Sequence, residues 1–397
     1  MRIFISTGEV SGDLQGSLLI KALKGQGEQR GEDLEIVALG GDRMEAAGAT
    51  LIANTAPIGS FGLIESLPFV WETIKIQRKA KQYLQQNPPD LVILIDYQDP
   101  NLAIGSYLRD KFPDLPIIYF IAPQAWIWYP LGSKVNTLVR ITDRVLAIFP
   151  EEQKFYAQRG VPSDWVGHPF IDRIQTAPTR DKARLRLGIK PEQTAIALVP
   201  ASRRQEIQYL LPPIFAAARQ LQAKIPKVHF WIPLALEQYR DAIEQKIQEY
   251  QLQATVLEGK TLEILAAADL AITKSGTVNL ELALLNVPQL VVYRFHPLNA
   301  WIARKIFNFS VPFISPVNLM NMEEIVPELF QEEVTPERIC QEALELWENP
   351  KRRDLILSGY QKMRANMGEL GVCDRAATKI FNQLSRNNGK KQKISLS

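Results

Sequence analysis

Two cysteines and three histidines are all that this 397-residue chain offers of the side chains that staple small domains or hold transition metals. Cys340 and Cys373 cannot build a disulfide framework or a cysteine-rich zinc site, and the simplest compartment for so few thiols is a reducing cytosol. His168, His229 and His296 exclude a histidine-rich metal site and leave few candidates for a histidine-based triad. No Asp-x-Asp pair occurs, which removes the usual carboxylate bridge between a metal and a nucleotide sugar. Neither sign of charge dominates: 46 Lys and Arg against 43 Asp and Glu give +3, so the surface as a whole is no nucleic-acid binder and no nucleic-acid partner is expected. The apolar run opening Met1–Gly8 is too short for a signal peptide. The charge-free stretch Leu115–Ser133 is 19 residues long, but Pro116, Pro123 and Pro130 would strand backbone groups in lipid. It reads as a buried strand, Ile117–Ile121, entering an aromatic loop.

What is present points to two α/β halves. Hydrophobic content of 46% and charged content of 22% are those of a globular chain long enough for two domains. Short β-prone runs at Arg2–Ser6, Ile36–Leu39, Leu91–Ile95, Ile117–Ile121 and Arg144–Ile148 alternate with helical patterns. After a pause near Gly167–Pro178 the alternation restarts at Thr194–Val199 and runs through Val228–Ile232, Thr255–Leu257, Leu270–Ile272 and Gln289–Tyr293. The expected fold class is α/β, two Rossmann-like doubly wound domains facing a cleft at the carboxyl ends of their strands. The expected boundaries are 1–168, 169–350, terminal helices over 351–385 that either pack back on the first half or do not, and a disordered basic tail over 386–397.

Four strand-end motifs carry candidate chemistry. Lys274-Ser275-Gly276-Thr277 follows a strand and opens a helix, where small residues expose backbone N–H groups to a phosphate; Glu281, one turn on, is placed to accept from a ribose diol, or else is a surface glutamate behind an ordinary cap. Pro200-Ala201-Ser202-Arg203 follows the second half's first strand, and Arg203 there either grips a diphosphate or is a solvated loop cation. Asp96, ending the run Leu91–Ile95, is a candidate general base, while Asp99 fits a helix cap or a second polar group at the site. Thr7-Gly8-Glu9-Val10-Ser11-Gly12-Asp13 offers Glu9 and Ser11 to a ligand or is a plain tight turn; it is neither a dinucleotide fingerprint nor a Walker loop.

These motifs, with Gly40-Gly41-Asp42-Arg43-Met44, Phe61-Gly62-Leu63-Ile64-Glu65, Pro123-Gln124-Ala125-Trp126-Ile127-Trp128, Val166-Gly167-His168-Pro169, Val292-Tyr293-Arg294 and Asn318, resemble the lipid-A-disaccharide synthase family, glycosyltransferases of the two-domain GT-B type. The sequence departs from the family's strand-end pattern in lacking a proline before Asp99 and a phenylalanine after it, and carries Ala122 and Ala201 where a serine and a glycine are usual. The resemblance implies inverting transfer of 2,3-diacylglucosamine from UDP-2,3-diacylglucosamine to the 6-hydroxyl of 2,3-diacylglucosamine 1-phosphate, with UDP released and no cofactor or metal. It assigns catalysis to Asp96 with Glu9 as a further candidate, nucleotide binding to Ser202, Arg203, Ser275, Gly276, Thr277 and Glu281, and substrate contact to Ser11, Asp99, His168 and Asn318. His168 either bonds a substrate phosphate or fixes hinge geometry. The first half would face acceptor and membrane, the second the UDP-sugar.

Acylated substrates imply a greasy surface on the cytoplasmic face of the inner membrane. Phe69, Val70, Trp71 and Ile74 stand beside Lys75, Arg78, Lys79 and Lys81, a pattern suited to anionic lipid or to an ordinary amphipathic helix; Trp301–Phe307 is a second candidate. The other readings of the same residues are another UDP-sugar transferase or epimerase, and a non-catalytic nucleotide- or lipid-binding relative. The sequence leaves the oligomeric state open.

Overall fold

The computed structural model describes residues 1–56, 69–127, 132–200, 204–294 and 313–395, with side chains at 206–294 of the fourth stretch and to 385 in the last. The chain divides into two compact units, Met1–Asp172 with Met367–Ser397, and Arg173–Asn366. The chain therefore passes from the first unit to the second at Asp172–Arg173, rather than at 168/169, and returns at Asn366–Met367.

The first unit holds β1 (Arg2–Ser6), β2 (Glu35–Gly40), β3 (Thr50–Asn54), β4 (Leu91–Ile95), β5 (Ile117–Phe120), β6 (Arg144–Ala147) and β7 (Ser163–Trp165). All pair in parallel, in the order β3-β2-β1-β4-β5-β6-β7. Every residue of β4 and β5 is buried, as a parallel sheet covered by helices on both faces requires. The second unit repeats the winding with β8 (Thr194–Val199), β9 (Val228–Leu234), β10 (Ala254–Glu258), β11 (Leu270–Lys274), β12 (Gln289–Tyr293) and β13 (Glu328–Phe330), ordered β10-β9-β8-β11-β12-β13 and parallel throughout. In each sheet the chain winds outward one way and then returns to start on the other side of its first strand. That leaves a topological switch point between β1 and β4 and another between β8 and β11, where such sheets bind ligands.

Several elements differ from the sequence expectation for identifiable reasons. β3, β7 and β13 lack continuous apolar runs because they are sheet edges with partly exposed side chains. The stretch after β8 that is helical by its spacing forms two helices, Arg204–Tyr209 and Leu211–Lys224, since Pro212 and Pro213 suit a first turn and not a helix interior. The terminal helices expected over 351–385 are Pro350–Met367 and Val372–Ser395, parted by Gly368 and Gly371 at φ 86° and 85°. The last helix continues across the segment from Arg386 that composition marks as a disordered tail. It packs on the first unit's opening helix, Val10–Arg30: Gln26 Nε2 donates to Asp374 O at 2.8 Å, and the Arg30 guanidinium lies 4.6 Å over the Phe381 ring. Lys379 ties it to Asp164 of β7 at 2.6 Å. Among the described residues no helix is long and apolar enough to cross a membrane.

Candidate functional site

The first unit brings two of the predicted motifs to its switch point. Thr7–Asp13 follows β1, and Asp96 follows β4, the strand beside it. Asp96 and Tyr97 both take positive φ, 47° and 44°, so the chain turns abruptly at the strand end and stores strain there. A buried amide sustains that turn. Asn101 Nδ2 donates to the carbonyls of Ile95 (3.0 Å), Asp96 (2.8 Å) and Ser6 (3.3 Å), while its Oδ1 accepts from Ser6 Oγ at 2.7 Å. Tyr119 Oη adds a second donor to the Asp96 carbonyl at 2.9 Å. The ends of β1 and β4 are thereby locked together, with the Asp96 side chain at the junction. Neither Asn101 nor Tyr119 is singled out by sequence alone, although an asparagine in the first turns of a helix just past an apolar strand is the signal to look for.

Glycine is needed at Gly8 because the Tyr97 ring lies where a Cβ would stand. Tyr97 bonds Thr73 of the helix Val70–Gln86, and burial pushes its hydroxyl up to about 12, with Glu9 raising it further. It is a neutral phenol that joins the greasy helix, the Glu9 turn and the Asp96 strand end. Glu9 itself stands at the N-cap of Val10–Arg30 without a side-chain cap bond, and Ser11 lies half-buried in the first turn. Asp13 serves the fold. Its carboxylate accepts from the backbone N–H groups of Gly41 (2.9 Å), Met44 (3.0 Å) and Arg43 (3.2 Å), so the Gly40–Met44 motif acts as its seat. Asp99 is not the helix cap; Tyr97 holds that position, and Asp99 sits in the first turn, pairing with Lys134 at 2.6 Å on the surface.

Glu152, another residue missed from sequence, is fully buried behind these strand ends. Its Oε1 accepts from Ala122 N at 3.0 Å and its Oε2 from Ile148 N at 2.8 Å and Phe149 N at 3.4 Å, so one carboxyl fastens the chain after β5 to the chain after β6. Burial pushes it up to about 8 against the pull of those N–H bonds, and the nearby Asp96 raises it further.

The Val166–Pro169 motif anchors the last helix. Gly167, at φ 91°, leaves room for the Met367 carbonyl, which accepts from His168 N at 2.8 Å. Arg375 donates to Val166 O, and Asp172 accepts from Gly371 N at 2.6 Å and Cys373 N at 2.9 Å at the start of Val372–Ser395. His168 is 3% exposed, ringed by Phe149 and Phe170, with Nδ1 accepting from Phe170 N at 3.3 Å. Burial holds it down at about 3, so it is neutral. With Nδ1 accepting from Phe170 N, the neutral ring carries its proton on Nε2, and both readings, a hydrogen bond to a substrate phosphate and a role in fixing backbone geometry, are open to it.

In the second unit, Ser275-Gly276-Thr277 follows β11 at that sheet's switch point. Here too a buried asparagine shapes the turn: Asn279 Oδ1 accepts from Gly276 N at 2.8 Å and its Nδ2 donates to Lys274 O and Gln289 Oε1, with Gln289 in turn bonded to Tyr360 Oη. Ser275 Oγ donates to Ile314 O at 2.5 Å. Ser275 and Gly276 thus spend a donor each on the loop, and Thr277 is presented to solvent. Lys274 and Glu206 form a buried ion pair at 2.9 Å that ties the end of β11 to the helix Arg204–Tyr209. Glu281 is 4% exposed and paired with Arg173. Asn318, expected to contact substrate, is fully buried: it donates to Val326 O and Glu328 and accepts from Ile325 N and Val326 N.

On the greasy helix, Trp71 is 74% exposed, Val70 and Ile74 are exposed and Phe69 is half-buried. Two of its four cations serve the fold, Lys79 on Ile52 O at 2.7 Å and Lys81 over Tyr107. Ser202 and Arg203, the Phe61–Glu65 motif, Trp128, His296 and Trp301–Phe307 lie outside the described residues. Among the described residues no group of three metal-ligating side chains occurs.

A model of the lipid-A-disaccharide synthetase family matches residues 3–380. The lipid-A-disaccharide synthase of Gloeothece citriformis is 63% identical over 381 residues, covering 96% of this chain and 99% of that protein. Among solved structures, a putative UDP-N-acetylglucosamine 2-epimerase from Listeria monocytogenes superposes with a TM-score of 0.65 at 15% identity (97% of each chain), and the calicheamicin glycosyltransferase CalG4 with 0.56 at 17% (97% and 98%). Those two likenesses are of fold, and the fold is of the GT-B type. With matching motifs at both switch points and a family match across nearly its whole length, the chain belongs to the lipid-A-disaccharide synthase family of glycosyltransferases.

Proposed function

We propose that this glycosyltransferase moves 2,3-diacylglucosamine from UDP-2,3-diacylglucosamine to the 6-hydroxyl of 2,3-diacylglucosamine 1-phosphate, with inversion, giving the β-1,6-linked lipid A disaccharide 1-phosphate and UDP. The single observation that carries the site assignment is the carboxylate of Asp96 at a strained, amide-locked strand end on the first unit's switch point. Asp96 accepts the proton of the acceptor hydroxyl as its oxygen attacks the anomeric carbon and the bond to the UDP oxygen breaks. Glu9, across the switch point, is the second carboxylate available to orient the acceptor, with Ser11 beside it. The nucleotide belongs to the second unit: Glu281 takes the ribose hydroxyls, Ser275–Thr277 line the phosphate side, and Ser202 and Arg203, which follow β8 in sequence, bind the diphosphate, the arginine stabilising it as it departs. With no Asp-x-Asp in the sequence, charge on the leaving group falls to cationic side chains and N–H groups.

The exposed Trp71, Val70 and Ile74 support a peripheral seat on anionic membrane, on its cytoplasmic face, which would bring the site to acylated substrates. The test is mass spectrometry of the purified protein incubated with both diacylated substrates, with and without EDTA. Disaccharide 1-phosphate and UDP, formed equally in both arms, are expected. UDP binding without product would overturn the acceptor assignment, and strong inhibition by EDTA would overturn the metal-free departure.

A further inference from the structure

Glu281 sits on the short helix Val278–Leu284, whose far end is fastened by Arg364 Nη2 to the carbonyls of Ala283 and Leu284 at 2.9 Å each. Its carboxylate is almost wholly removed from water, which is costly for a charge without a partner. The partner is Arg173, itself mostly buried, reaching Glu281 Oε1 through Nη1. Both groups belong to the second unit, and the helix that carries the carboxylate is fastened within it by Arg364.

We propose that Arg173 is a positioning residue for the nucleotide: it holds the Glu281 carboxylate in the orientation that accepts the two ribose hydroxyls. The proposal rests on the reading of Glu281 as the ribose ligand. A carboxylate has about four acceptor sites, so one arginine N–H on Oε1 leaves capacity for a diol. A guanidinium also suits this role better than an ammonium, since its planar fork fixes the plane of the carboxylate as well as its distance. Without Arg173, Glu281 would turn toward other donors, and the hydroxyls would lose their acceptor while the rest of the nucleotide kept its contacts.

Calorimetric titration of the full chain with UDP and with 2′,3′-dideoxy-UDP separates this role from a merely structural one. The wild type is expected to prefer UDP by roughly tenfold or more, the worth of hydrogen bonds to a charged acceptor. Glu281→Gln loses that preference. Arg173→Gln loses most of it while binding dideoxy-UDP as the wild type does, and Arg173→Lys recovers part. Wild-type preference in Arg173→Gln, alongside its loss in Glu281→Gln, would overturn the proposal and leave the ribose reading standing. Preference retained in Glu281→Gln would overturn the ribose reading itself. Should Arg173→Gln strand its carboxylate and fail to fold, the double variant, free of both charges, decides: adding Arg173→Gln to Glu281→Gln leaves both affinities unchanged if the arginine acts through the glutamate. An equal further loss for both nucleotides would contradict that.

Discussion

Asn101 and Glu152 show how single buried polar side chains set the geometry around Asp96. Asn101 answers three carbonyls and one hydroxyl at the joint of β1 and β4. Replacing it by Ala strands those groups, and each unsatisfied buried partner costs about 1–3 kcal/mol. Asn101→Ala should therefore unfold at clearly lower urea and lose turnover beyond its loss of folded protein, because the Asp96 backbone is released; wild-type kcat in the folded fraction would contradict the positioning role. Glu152 makes a prediction in pH. Its carboxyl releases its proton near its ordinary 4.5 in the unfolded chain and near 8 in the folded one. Between those values the folded state holds the extra proton, so the stability this group contributes is complete below 4.5 and is lost as pH rises through 8. Thermal unfolding of Glu152→Gln should accordingly decline less steeply than the wild type between pH 5 and pH 8, even if its midpoint is lower throughout. Parallel curves would remove Glu152 from the account. The sequence hides both residues, since an asparagine and a glutamate inside amphipathic helical stretches look like solvated positions until the fold buries them.

At the scale of elements, the strand ends after β4 and β11 are built alike. Each is followed closely by a fully buried asparagine whose amide bonds a strand-end carbonyl five residues back, Asn101 to Asp96 and Asn279 to Lys274. The central strands were legible because burial on both faces demands continuous apolar runs; β3, β7 and β13 were not, because one exposed edge leaves a mixed pattern. The terminal helices over 351–385 were legible but their break was not, because helical spacing persists across Gly368–Gly371 and the glycine φ values reveal where the chain turns. That break lets the chain meet Gly167, whose added Cβ would stand 2.8 Å from the Met367 carbonyl. Gly167→Ala should cost at least about 1–2 kcal/mol for the left-handed backbone alone, more for the clash, and loosen the last helix. Hydrogen exchange across Val372–Leu384 measures the loosening, and protection equal to the wild type would contradict it.

For the whole molecule, the two sheets repeat one winding. In each, the candidate residues follow the pair of strands that flank the switch point, β1 and β4 in the first unit, β8 and β11 in the second. Strand-end motifs were therefore the part of the site most legible in sequence: a carboxylate or a run of small residues directly after an apolar run has only one place to emerge. What sequence could not show was how such residues are held: the Asn318 amide bonds the backbone of Val326 through both its ends, and His168 bonds Phe170 N through Nδ1. Arg173 escaped notice for the converse reason, being an ordinary arginine in sequence whose importance lies in the carboxylate it meets.

The division of labour is tested most directly by measuring turnover and UDP affinity together in Asp96→Asn. The variant keeps size and hydrogen-bonding shape and removes only the proton acceptor, so kcat should fall by about 10²–10⁴ while UDP binds as tightly as to the wild type. Turnover near the wild-type value, or a parallel collapse of UDP affinity, would contradict the assignment of proton removal to the first sheet and of the nucleotide to the second.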